Sequence, residues 1–176
     1  MATRLGAVDG RPVVVKELGP GPGADRLRRE AAALHHAAHP GVVEVVGLDE
    51  DDGGGVTLTT GFVGGRTLAE LPGTALDSAL ATGLARELAA TLGELHARGV
   101  VHGRLSADHV LVAAGDRPVL CGLAGARLPG DGAHGPAPAD DVAALGALLA
   151  SLAEAVGGPG AQALRAAAGR ARAPDA

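Results

Sequence analysis

The chain has no tryptophan, no tyrosine and a single phenylalanine, Phe62, in 176 residues. Its core must therefore be aliphatic, and the stacking platforms that hold single-stranded nucleic acid or sugars are missing. Cysteine is nearly absent too. Cys121 stands alone, inside the apolar run Val119-Leu120-Cys121, which excludes an internal disulfide and any multi-cysteine metal site. With nothing local to activate it, Cys121 reads as a small buried side chain rather than a nucleophile. No apolar run approaches the ~20 residues that span a bilayer, and no charged-then-apolar leader opens the chain. The formal charge is −5 and the basic residues are scattered, which argues against nucleic acid and acidic membranes as partners. A soluble cytoplasmic domain is the expectation, with enough chain for one core or two small lobes.

What is present is mostly alanine, glycine, leucine and valine, a bias typical of high-GC bacterial genomes. Thr3 to Val8 and Pro12 to Leu18 read as two strands of a hairpin around Asp9-Gly10. Gly19 to Gly23 is a breaker, after which Asp25 is expected to N-cap a helix from Arg26 to Ala38 with Leu27, Ala31 and Leu34 on one face. His39-Pro40-Gly41 stops it. Val42 to Leu48 and Val56 to Val63 read as further strands around an acidic, glycine-rich turn. The chain then changes character. Leucines from Leu76 to Leu95 recur at helical spacing over Asp77 to Arg98, and Gly99 ends that helix. Short strands are expected at Val110 to Ala113 and Pro118 to Leu120, then a Gly/Pro-rich loop over 122–140. Helices over Asp141 to Val156 and Ala161 to Ala173 close the chain. Strands first and helices later predict an α+β fold in two lobes, divided near residues 62–68.

Several segments point to one chemistry. Val13-Val14-Val15-Lys16 ends a strand on a lysine, and Glu30 follows on the first helix. Thr60 and Phe62 close the last strand of the first half. His102-Gly103-Arg104-Leu105-Ser106-Ala107-Asp108-His109 lies between the long helix and an apolar strand, and Asp141 opens the next strong helix. Taken in order, these segments resemble the protein kinase superfamily, in a bacterial Ser/Thr protein kinase-like form. The resemblance runs over nearly the whole chain, with a small lobe over 1–64 and a large lobe over 65–176. It implies a nucleotide-pocket remnant made of Lys16 paired with Glu30, Thr60 as gatekeeper and Phe62 in the hinge. It also implies a catalytic loop at Leu95 to Val112.

The reactive positions of that pattern are replaced. Arg104 stands where the catalytic Asp belongs, His109 where the metal-binding Asn belongs, and Gly122 of Gly122-Leu123-Ala124 where the metal-binding Asp of Asp-Phe-Gly belongs. A guanidinium has no acceptor and stays charged. No glycine-rich phosphate loop precedes Lys16, so the first strand reads as absent and Thr3 to Val8 as an open sheet edge. Between Gly122 and Asp140 there is no Ser, Thr or Tyr, which removes phosphorylation as a switch for that loop.

The expectation is a degenerate, shortened kinase-like fold, a pseudokinase acting as a protein-binding or regulatory scaffold. Its partner would be a protein, an active kinase or a second copy of the chain. The alternatives are a weak or atypical ATP-dependent Ser/Thr kinase, or a truncated remnant without function. No cofactor is expected, with ATP and Mg²⁺ as the alternative, and no metal: His35 and His39 lie one turn apart, but further ligands have no source. His102 and Asp141 read as structural, Asp141 capping its helix and bracing the loop around His102. Trimming of the large lobe is expected to leave apolar surface uncovered on the last two helices.

Overall fold

The computed structural model describes residues 2–71, 76–132 and 135–172. Among these residues, two antiparallel sheets and four α-helices make an α+β protein. The first sheet has the order β1-β2-β4-β3, with β1 Ala2–Val8, β2 Arg11–Leu18, β3 Val45–Glu50 and β4 Val56–Gly61. Asp9 and Gly10, both at positive φ, turn β1 into β2, so β1 lies at the sheet edge with nearly all its residues exposed. Helix α1, Pro22–His36, lies against β2, β3 and β4.

α1 begins earlier than the sequence pattern suggests. Pro22 occupies its first turn and Gly21 its N-cap position without a side-chain bond, because the proline ring already holds a helical φ and has no N–H to satisfy. Asp25 therefore does not cap the helix. It sits in the first turn and meets the Arg28 guanidinium at 2.8 Å. The strand expected at Val42 to Leu48 is also displaced. Val42 and Val43 are taken by the other sheet, where Val43 N–H donates to Leu120 O at 2.9 Å and Leu120 N–H to Gly41 O at 2.8 Å.

Residues 62–65 lead into the large lobe. Its sheet is β5-β6-β7, with β5 Arg66–Thr67, β6 Val110–Ala113 and β7 Arg117–Leu120. Two residues are too few for a period, so β5 is visible only through its pairing with β6. Helix α2, Ser78–Ala97, is capped by Asp77, whose carboxylate accepts the Leu80 N–H at 2.8 Å. Its Leu84, Leu88, Leu92 and Leu95 are buried. Helices α3, Pro138–Ala155, and α4, Gly158–Arg172, follow. They face each other through Leu145, Leu148, Leu149, Leu152, Ala161, Leu164 and Ala168, all buried. The uncovered apolar surface expected there is thus not found: Val142 is the one large apolar side chain exposed on these two helices among the described residues. The others that face solvent are Leu5, Val8, Val46, Leu48 and Phe62 on the small-lobe side. Residues 133 and 134 of the 122–140 loop, and Ala173 of the expected last helix, lie outside the described residues. No described helix is long and apolar enough to cross a membrane.

Candidate functional site

β2 carries Lys16 to the face that meets α1, and α1 brings Glu30 opposite. Their side chains join at 2.7 Å, both largely shielded from solvent. The pair ties strand to helix beside a cleft of ≈ 230 Å³ that is lined by Val14, Thr60, Phe62, Leu111, Cys121 and Gly122 among others. Thr60 is buried, whereas Phe62 is 42% exposed at the cleft rim. Cys121 lines this cleft, partly buried and packed against the core. Desolvation still pushes its thiol above the ordinary range, so the thiolate that would be a nucleophile is disfavoured.

The loop after α2 is held from three sides. Asp141, 1% exposed, lies inside the first turn of α3. The cap position belongs to Ala137, whose N–H donates to Asp140 Oδ2 at 2.7 Å, so Asp141 does not cap its helix. Its carboxylate instead accepts His102 N–H and Gly103 N–H, each at 2.8 Å, and meets His96 Nε2 at 2.9 Å. α3 begins at Pro138, three residues before Asp141, so of the two expected roles the cap is lost and the brace remains. His96 was not legible as part of this group, since only the crossing of α2 and α3 brings it there.

His102 is fully buried. Its Nε2 lies 3.0 Å from Cys121 O and its Nδ1 3.3 Å from Arg104 N. A carbonyl only accepts and an amide N–H only donates, so Nε2 carries the proton and Nδ1 is bare: the ring is neutral. Burial lowers the His102 pKa first and His109 adds to this, against the opposing Asp141 carboxylate and the Cys121 carbonyl. The unfolded chain, with histidine near ~6.5, therefore takes up this proton first as pH falls. The resulting stability is complete above that value and is lost as pH falls toward the lowered folded pKa. The melting temperature is expected to fall between pH 7 and 5, and less steeply in His102→Asn. Parallel curves for the two proteins would remove His102 as the cause.

The three replaced positions meet. His109 Nδ1 lies 2.6 Å from Arg104 O, so Nδ1 donates to that carbonyl, and the Nε2 side of the ring faces Gly122. Gly122 adopts φ +76°, a left-handed conformation, and a Cβ there would lie 2.5 Å from His109 Cδ2 and 2.8 Å from Nε2. The imidazole thus fills the space where a carboxylate at 122 would begin. Arg104 is exposed, its stem lying over Gly125. Asp108 is exposed in the short 3₁₀ turn Ala107–His109, with no hydrogen bond or ion pair to the loop's other side chains among the described residues. The loop after β7 is anchored to α1 through Asp131 and Arg29 at 2.7 Å. His39, read as one of two turn-spaced histidines, accepts Gly41 N–H through Nδ1 at 2.9 Å and meets Glu94 through Nε2 at 3.0 Å.

Comparison with known proteins gives a consistent background. The model of the phosphotransferase enzyme family matches residues 3–156. Among curated proteins, the chain is 31% identical over 118 residues to a probable bifunctional tRNA threonylcarbamoyladenosine biosynthesis protein of Methanothermobacter thermautotrophicus, covering 61% of this chain and 20% of that protein. It is 32% identical over 115 residues to the serine/threonine-protein kinase pkn2 of Myxococcus xanthus, covering 60% of this chain and 13% of that one. The chain therefore spans a small part of either relative's length.

Proposed function

We propose that this chain, which belongs to the phosphotransferase enzyme family, is a catalytically silent member, a kinase-like domain that works as a protein-binding or regulatory scaffold. The observation that carries the reading is the contact of His109 with Gly122. Phosphoryl transfer depends on positioning, on metal ions that neutralise phosphate charge, and on a group that accepts the substrate proton. Mg²⁺ demands oxygen ligands in octahedral geometry. Here the two positions that would supply them hold an imidazole and a glycine, and the ring blocks the space between them. Arg104, at the base position, has no lone pair to take a proton. The cleft volume of ≈ 230 Å³ also falls below the ~300–1,000 Å³ common for small-molecule sites.

The Lys16–Glu30 pair fits this reading as a structural link between β2 and α1. It also favours a second reading, a weak ATP-dependent kinase, because this is the pair that holds nucleotide phosphates in active members. The two readings part experimentally. Purified protein with labelled ATP and Mg²⁺ is expected to transfer no phosphate to itself or to a generic basic protein. Millimolar Mg²⁺-ATP is expected to leave the melting temperature unchanged. A shift that Lys16→Met abolishes, or transfer that Asp108→Ala abolishes, would overturn the silent reading.

A further inference from the structure

Among the described residues, Arg104 is a charge without a counter-charge on a rigid support. Its backbone is fixed at both ends, with N–H on His102 Nδ1 at 3.3 Å and C=O accepting from His109 Nδ1 at 2.6 Å. A Cβ on Gly125 would stand 2.7 Å from Arg104 Cδ, so the stem is seated and the guanidinium projects outward, exposed. A second arginine borders the same seam. A Cβ on Gly103 would lie 2.5 Å from Pro136 Cγ and 2.9 Å from Gly125 O, while Gly135, next to Pro136, lies against the Arg127 stem. Arg127 Nε is buried without a hydrogen-bond partner. Neither arginine has a carboxylate within ion-pair distance among the described residues, unlike Arg4, Arg28, Arg29 and Arg98; several surface arginines share that state, and Arg104 differs from them in its seated stem and its place in the loop. Asp108 is the nearest acidic residue in sequence and does not pair with Arg104. Asp131 is engaged by Arg29, and Asp140 by Ala137 N–H.

We propose that the Arg104 guanidinium is a binding site for a phosphorylated side chain of a protein partner. The proposal rests on the silent reading above and names its partner class. A carboxylate at this position would take the proton of a substrate hydroxyl. An arginine reverses the sign, so the loop takes an anion on that hydroxyl instead. The planar fork of five donors matches a phosphate in bidentate fashion. A preordered backbone lowers the ordering cost that a mobile arginine would incur on binding.

The test is fluorescence anisotropy with the full chain and a labelled alanine-glycine peptide carrying one phosphoserine. The same peptide with serine, the same with glutamate, and inorganic phosphate as competitor are the other arms. Phosphopeptide binding is expected to be salt-dependent, at least about tenfold tighter than for the serine and glutamate peptides, and weakened at least about tenfold in Arg104→Ala. Arg104→Lys is expected to recover part of the loss, because a lysine keeps the charge and not the fork. No binding, equal binding of the serine or glutamate peptide, or an unchanged affinity in Arg104→Ala would overturn the proposal. So would inorganic phosphate competing as strongly as the unlabelled phosphopeptide, since the ligand would then be free phosphate. A flat titration leaves the silent reading in place, whereas phosphate transfer from ATP removes that reading whatever the titration gives.

Discussion

Asp141→Ala is expected to lower the unfolding free energy by about 3–4 kcal/mol, because each buried donor left without a partner costs about 1–3 kcal/mol. The carboxylate accepts from His102 N–H and Gly103 N–H and also meets His96. Alanine leaves all three without their acceptor at once, around a position that is 1% exposed. Against a typical total of about 5–15 kcal/mol, this is a large fraction. Asn is not an adequate replacement, since its amide NH₂ would face donors. The control is Val142→Ala, one residue on and exposed, where a change within about 0.5 kcal/mol is expected. Urea unfolding of both variants at pH 7 checks this. An Asp141→Ala midpoint close to that of the unaltered chain would mean that the loop holds its shape without α3.

The second large effect is a gain. Because His109 occupies the space in front of Gly122, restoring a carboxylate by Gly122→Asp alone is expected to destabilise the chain without creating a metal site. The positive φ at Gly122 adds strain for any side chain there. With His109→Asn in the same molecule the obstruction is gone. Adding Arg104→Asp then supplies the missing acceptor. The triple variant is expected to show a Mg²⁺-dependent thermal shift with ATP that the unaltered chain lacks. Nucleotide at a hundred times its dissociation constant adds about 2.7 kcal/mol, about 5–10 °C for a chain of this size. A triple variant that shifts no more than the unaltered chain would place the defect elsewhere in the cleft. A single Gly122→Asp variant that binds Mg²⁺-ATP would show that the imidazole is not the obstacle.

Much of the fold is legible from pattern. The Asp9-Gly10 hairpin, the leucine stripe of α2 and the apolar strands β6 and β7 each carry local signals strong enough to survive folding. The boundaries that moved did so for reasons outside the local pattern. Pro22 began α1 early, and Pro138 did the same for α3. Val42 and Val43 left their expected strand because Leu120, far away in sequence, offered backbone partners, its C=O accepting Val43 N–H and its N–H donating to Gly41 O. The leucines of α3 found cover on α4, which an apolar stripe alone does not reveal.

The replaced loop divides in the same way. That Arg104 accepts no proton, that residues 122–140 carry no phosphorylatable hydroxyl, and that no carboxylate stands at 122 all follow from side-chain identity. Chemistry of that kind needs no coordinates. The placement of the His109 ring over Gly122, the burial of Asp141 under His102 and His96, and the lack of a counter-charge beside Arg104 belong to the tertiary structure. Each is a contact between residues that strands, helices and turns bring together across the chain. Sequence decides which groups are available; only packing decides which of them touch and which are left facing a partner.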